Sequence, residues 1–191
     1  MPAGPFALFV LLAHELLIGL IIGTVARIIM ASVHTTGTVI AFQVGLAAAQ
    51  SFDPNQGGQS ALVATFMTVI AVTLVFVTET HHLMIEGMYF SYTRFPVGGE
   101  LQVLDFAMLV TKMVSTAFEL GVQLASPFMV YGLVYNVSLG LVARLMPQMP
   151  VFFVGMPLNI ILGFLLLSLV IGSIMTVYTE HFIDLLTGFM G

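Results

Sequence analysis

Long apolar stretches alternate along this chain with short breaks rich in glycine, proline and amides. Phe6–Val33, Ala61–Val77, Phe106–Tyr135 and Val151–Tyr178 are the apolar runs, each long enough to cross a hydrocarbon core, which takes roughly 20 residues. The alternation of a β-barrel strand is absent, and backbone groups in lipid must bond internally, so the runs predict helices. The first helix is expected over Phe6 to Val33, weakened at Thr35-Thr36-Gly37, with a second segment over Thr38 to Gln50. Ser51–Ser60 carries Asp53-Pro54 and Gly57-Gly58 and reads as a loop, because both pairs are turn signals. Ser60 is placed to cap a helix over Ala61 to Tyr92. Arg94–Gly99 is a second break, and Glu100 to Met146 predicts a long helix kinked at Pro127, where a backbone donor is missing. The stretch Arg144 to Leu158 holds Pro147, Pro150 and Pro157. It predicts a stiff corner that fixes the angle between the long helix and a final one ending near the C-terminus.

Residues four apart share one ridge of a helix, and several ridges here combine small and polar residues. They are Glu15, Gly19, Gly23 and Arg27; Gly132, Asn136, Gly140 and Arg144; Gly155, Asn159 and Gly163; and Ser168, Gly172, Thr176 and Glu180. Small residues let helix backbones approach, and polar ones bond across the contact. Charges and amides on such lines are costly against lipid, so the ridges predict that much of this surface faces other helices, some belonging to other subunits.

Composition agrees. Apolar residues make up 59% and charged residues 7%, against about 25% charged in an ordinary soluble domain, and mean hydropathy is +1.11. The expectation is an all-α, membrane-associated protein, residues 1–191 forming one domain of long kinked helices and helical hairpins. The first run is too long for a signal-peptide core and has no basic start, so cleavage is not expected. With no cysteine in the chain, disulfides, thiolate metal sites and thiol nucleophiles are excluded. The net charge of −5 is thinly spread, and no basic patch points to nucleic acid. The cations Arg27, Arg94, Lys112 and Arg144 are too few to set an orientation.

Candidate chemistry is sparse. Glu79, His81, His82 and Glu86 are the one cluster with metal-ligand character; at helical spacing Glu79, His82 and Glu86 share a face. The set is incomplete, with no second histidine at zincin spacing after His14-Glu15, so no metal and no cofactor are expected. Glu15 and Glu119 lie inside apolar runs, where ionisable groups are functional candidates. Each suits a proton carrier or a subunit contact; the missing repeat signature of transporters favours contact. Without a Gly-x-Ser-x-Gly elbow either, an enzyme is not expected. The Ser51–Ser60 loop, polar apart from Phe52, suits a surface hairpin, a re-entrant gate or a plug.

In order along nearly the whole chain, His14-Glu15 with Gly19 and Gly23, Gln43-Val44-Gly45 with Asp53-Pro54, His81-His82, and the Arg144 to Leu158 stretch together resemble the FliR/SctT family of type III secretion export-gate subunits. His14-Glu15 with Gly19 and Gly23 looks like the family's Glu-x-x-x-Gly-x-x-x-Gly helix, and Gln43-Val44-Gly45 followed by Asp53-Pro54 looks like its Gln-x-Gly and Asp-Pro loop. His81-His82, Ser91, Pro96 and Gly98 resemble a third segment. Arg144, Pro147-Gln148, Val151-Phe152, Gly155 and Pro157-Leu158 resemble the most recognisable one, and lean towards the flagellar branch, the injectisome branch being the alternative. Departures are Pro150, where the family commonly has Asn, Asn159, where it often has Lys, and the lack of room for an additional apolar hairpin before the first helix.

The resemblance implies a non-enzymatic subunit of a helical gate, with FliP-like and FliQ-like partner subunits and FlhB-like and FlhA-like neighbours. Unfolded flagellar proteins would pass through it at the bacterial inner membrane, driven by the proton-motive force and by an ATPase elsewhere. It also implies that the core stands above the membrane plane. The plug would be Leu46 to Val63, including Leu46, Phe52, Asp53, Pro54, Gly57 and Gly58. Subunit packing would fall on Glu15, Gly19, Gly23, Arg27, Arg144, Pro147, Gln148, Gly155 and Pro157. A multi-pass secondary transporter is the competing class.

Overall fold

The computed structural model describes residues 5–46, 59–94, 103–148 and 150–190. The described residues are helical apart from short turns: α1 (Pro5–Gln43), α2 (Gln59–Val77), α3 (His81–Arg94), α4 (Val103–Leu145) and α5 (Val151–Met190). Helices α1, α4 and α5 run 39, 43 and 40 residues. Each contains an apolar span: Leu11–Gln43, Ala107–Leu145 and Phe153–Gly188.

Helix α1 is central and packs mainly against α2 and α4. Ile29, Val33 and Ile40 of α1, Met67 and Ala71 of α2, Leu120 and Phe128 of α4, and Tyr178 and Phe182 of α5 form the buried core. The deepest phenol, Tyr178, donates to the Met30 sulfur at 3.2 Å, so its hydroxyl is not left bare in an apolar setting. Away from this core the helices are open: Leu16, Leu20, Phe118, Leu133, Leu145, Leu165 and Leu169 are all exposed.

Three expected boundaries are corrected. First, α1 runs unbroken through Thr35-Thr36-Gly37. Thr35 and Thr36 turn their hydroxyls back to the carbonyls of Ala31 and Ser32 at 3.0 and 2.9 Å, so neither competes for a non-helical backbone. Gly37 is a packing glycine: a Cβ there would lie 2.5 Å from the Ala64 Cα, so the backbones of α1 and α2 approach closely at this point. Thr36, fully buried, also reaches the Gly121 carbonyl at 3.2 Å, sharing one proton between its own helix and α4.

Second, the helix expected over Ala61 to Tyr92 is two helices. Its start falls at Gln59, so Ser60 lies inside the first turn. The chain then bends by 76° between α2 and α3, at Thr78-Glu79-Thr80, where Glu79 takes φ +58°. The amides of His82 and Leu83 restart α3 on the Glu79 and Thr80 carbonyls at 2.9 and 3.0 Å, and the Thr78 and Thr80 hydroxyls meet at 2.6 Å. Side-chain hydroxyls thus take over what glycine or proline does at most breaks.

Third, the proline corner is shorter than expected. Helix ends at Leu145 and restarts at Val151, and Pro157 lies within α5. One proline in the second turn removes a single ladder bond, and neighbouring helices make such a loss tolerable in apolar segments. Pro127 likewise sits inside α4.

Candidate functional site

Three sequence landmarks meet where α1 ends. The helix stops at Gln43, and a tight turn follows: Val44 N–H bonds the Ile40 carbonyl at 2.9 Å and Gly45 N–H the Phe42 carbonyl at 3.1 Å. Gly45 takes φ +86°, the left-handed conformation that commonly ends helices and that only glycine enters freely. Leu46 then packs against the core.

Asn159 of α5 holds this end. Its Nδ2 donates to the Gln43 carbonyl at 3.2 Å, one of the last carbonyls of a helix, which lack a partner within it. Its Oδ1 accepts from the Tyr131 hydroxyl of α4 at 2.7 Å. One turn further on, the Tyr135 hydroxyl donates to the Gly155 carbonyl, and the two tyrosine rings stack with centroids 5.8 Å apart. Glycines admit the remaining groups. Gly132 receives the Gln43 side chain, Gly163 the Val44 side chain, and Gly155 Leu139 and the Tyr135 hydroxyl. So the ridge Gly155-Asn159-Gly163 is spent inside the chain, as is Gly132, while Gly140 and Arg144 of the same α4 ridge stay open. Tyr131 and Tyr135 were not singled out in the sequence; the available signal was a pair of uncharged polar residues four apart in an apolar run, needing partners.

The first ridge lies elsewhere. Gly19 and Gly23 are exposed, with no atom of the described residues within 4 Å of an added Cβ. With Ile22, Met84, Gly87 and Leu185 they line an apolar groove of about 170 Å³ between α1, α3 and the end of α5. At 1.5 Å per residue it lies roughly 36 Å along α1 from Gln43. Glu15 is half-buried, its Oε1 has no partner among the described residues, and Arg27 is exposed. A second groove, about 490 Å³, runs along Gly172, Thr176 and Glu180 beside Leu74 of α2.

Arg144 closes α4 and is exposed, as are Pro147 and Gln148 in the turn and Pro157 on α5. Phe52, Asp53, Pro54, Gly57 and Gly58 lie outside the described residues. Glu79 stands in the turn rather than on α3, so it shares no helix face with His82 and Glu86. His82 Nδ1 lies 3.2 Å from the Glu79 carbonyl, and the His81 ring packs between Phe76 and His82 at 5.2 and 4.1 Å. Among the described residues no three His, Asp or Glu side chains are grouped to hold a metal. Glu119 is exposed, with Gln123 Nε2 3.4 Å from its Oε1.

Long apolar helices joined by interhelical glycine contacts and a part-buried amide clamp define an integral-membrane helical protein. Residues 1–185 match the family described as bacterial export proteins, family 1. The chain is 46% identical over 173 residues to the flagellar biosynthetic protein FliR of Caulobacter vibrioides, covering 91% of this chain and 69% of that one. It is 33% identical over 181 residues to FliR of Bacillus subtilis, again 91% and 69%. Against FliR of Escherichia coli K12 the identity is 30% over 176 residues, 92% and 67%. The chain belongs to the FliR family of bacterial export proteins.

Proposed function

We propose that this chain is a non-enzymatic structural subunit of the flagellar type III protein-export gate at the inner membrane. The observation that carries this reading is its 46% identity to a flagellar FliR across most of both chains. In this reading the segment Leu46 to Val63, with Phe52, Asp53, Pro54, Gly57 and Gly58, is the pore plug. Unfolded flagellar proteins are the cargo. A plug needs backbone freedom and modest apolar area, which two glycines and one phenylalanine supply. Support comes from its root: α1 delivers the chain to Leu46 through a turn fixed on both sides by α4 and α5.

FliP-like and FliQ-like subunits occupy the open faces, and FlhB-like and FlhA-like proteins stand nearby. Among the described residues nothing covers Gly19 or Gly23 of the Glu15-Gly19-Gly23-Arg27 ridge, and the Glu15 Oε1 has no partner there. Such an oxygen calls for a donor from elsewhere. Arg144, Pro147, Gln148 and Pro157 are likewise presented outward at the α4–α5 corner.

The test is replacement of the chromosomal gene by variants in its own host. Deleting Gln56 to Gln59, or Phe52→Gly, should raise ion leakage through the gate while the complex still assembles. Normal assembly, parent-level leakage and parent-level flagellar export would make the segment a simple connector. Motility unaffected by loss of the whole gene would overturn the gate assignment itself.

A further inference from the structure

We propose that Asn159 is a positioning residue: held by Tyr131, its side-chain amide fixes the carboxyl end of α1 and sets the direction in which the chain leaves that helix. The consequence for sealing rests on the plug reading above; the positional claim does not.

An amide inside an apolar helix is costly unless both its ends are bonded. Leucine would fill the place more cheaply if packing were the whole purpose. Here the two ends reach two different helices. Nδ2 bonds the Gln43 carbonyl of α1, and Oδ1 accepts from Tyr131 of α4. The Tyr131 hydroxyl also lies 3.2 Å from the Asn159 carbonyl. The phenol therefore limits rotation of the amide and keeps Nδ2 aimed at α1. The Gln43 carbonyl can only accept, so it decides which end of the amide faces α1, and the Tyr131 hydroxyl, able to donate or accept, donates to the Oδ1 left on the other side.

The receiving side is shaped for it. A Cβ on Gly45 would lie 2.9 Å from Asn159 Nδ2, so a side chain there would displace the amide. The two preceding residues are seated separately, the Gln43 side chain over Gly132 and Val44 over Gly163. Three consecutive residues of the α1 terminus are thus gripped by α4 and α5. A helix end that only needed closing would be satisfied by water or by its own turn. Because the break between Leu145 of α4 and Val151 of α5 is short, Asn159, with the Gly132 and Gly163 seats, is also where the placement of these two helices reaches the end of α1.

The chain has no cysteine, which allows a direct test. A Cβ on Gly132 would lie 3.4 Å from the Gln43 Cβ, close to the separation a disulfide takes, about 3.8 Å on average. The pair Gln43→Cys with Gly132→Cys leaves the Gln43 carbonyl, the acceptor for Asn159, in place. In native membranes holding the full gate, a mild oxidant should close this disulfide quickly. Adding Asn159→Leu should slow closure roughly three- to tenfold, the scale of one or two interhelical bonds in a membrane. Tyr131→Phe, which keeps the ring and guards against a folding failure, should slow it by less. Closure at the parent rate in both backgrounds overturns the proposal.

Leakage separates the two readings. Slowed closure together with raised leakage in Asn159→Leu supports the proposal and its link to sealing. Slowed closure with no leakage, where the Gln56–Gln59 deletion does leak, keeps the positioning role and removes the link. If the deletion itself does not leak, the plug reading fails and the disulfide result still decides the role of Asn159.

Discussion

Gly37→Ala should destabilise the chain, although alanine is the better helix former. The added methyl would sit 2.5 Å from the Ala64 Cα, 3.0 Å from its nitrogen and 3.2 Å from its Cβ. Two of these are backbone atoms, so no rotamer change relieves the contact. Restoring the ordinary carbon–carbon separation of about 3.5 Å requires α1 and α2 to part by about 1 Å. A gap of that size forfeits up to half of each dispersion contact along the seam. Overpacked sites lose about 1–3 kcal/mol, and a backbone clash belongs in the upper half of that range. The helix-propensity gain of alanine over glycine offsets about 1 kcal/mol. The net expectation is a loss of about 1–2 kcal/mol, near a tenfold shift in the folded ratio. With no tryptophan or cysteine in the chain, separation of α1 from α2 is best read by energy transfer. Labels at introduced cysteines in place of the exposed Leu20 and Phe76, followed through a denaturing-detergent titration, supply the signal. Gly19→Ala and Gly172→Ala are the controls, because an added Cβ meets nothing within 4 Å at either position. They should be neutral or slightly stabilising. If Gly37→Ala unfolds together with Gly19→Ala, the close-approach argument is wrong.

Further outcomes follow from the same geometry. Gly45→Ala should cost about 1–2 kcal/mol for the left-handed backbone alone, more once the Asn159 contact is added, measured in the same titration. Thr36→Val keeps the shape but removes the bond to Gly121; a loss of about 0.6 kcal/mol and at most about 1.7 kcal/mol is expected, and no loss would mean that the hydroxyl bonds only within its own helix. Gly19→Leu and Gly23→Leu should leave the isolated chain folded while reducing co-purification with FliP-like and FliQ-like subunits; undiminished assembly by both variants would show that the first ridge faces lipid.

The helices were legible because their cause is local: apolar runs at membrane length leave no other way to satisfy the backbone. The corner at Pro147 and Pro150 was visible for a similar reason, proline having no donor to give. Pro157 shows the limit of that reasoning, since one missing donor early in a helix is bearable and the sequence does not say which proline acts. Gly37 was misread because a glycine that bends a chain and a glycine that admits a neighbouring backbone look alike until the neighbour, Ala64, is in view. The bend at Glu79 left no signal, because threonine hydroxyls make it without glycine or proline. The Asn159 clamp joins residues 28 and 116 positions apart, a separation at which single-sequence periodicity says nothing. Its ridge was visible, but not whether the ridge faces inward or outward.

The lengths of the three principal helices carry a consequence for the cell. At 1.5 Å per residue, α1, α4 and α5 are roughly 58–65 Å long, about twice a 30 Å hydrocarbon layer. Lying wholly within that layer would take a tilt near 60°, well outside the usual range of up to about 40°. Part of each helix therefore emerges, with exposed residues such as Leu8, Phe9, Leu145 and Phe153 at the helix ends. Water is a poor host for such surface. A copy made without companions would present it to proteases and chaperones, so surplus copies should be short-lived. The abundance of this subunit would then follow the supply of the proteins that cover it rather than its own rate of synthesis.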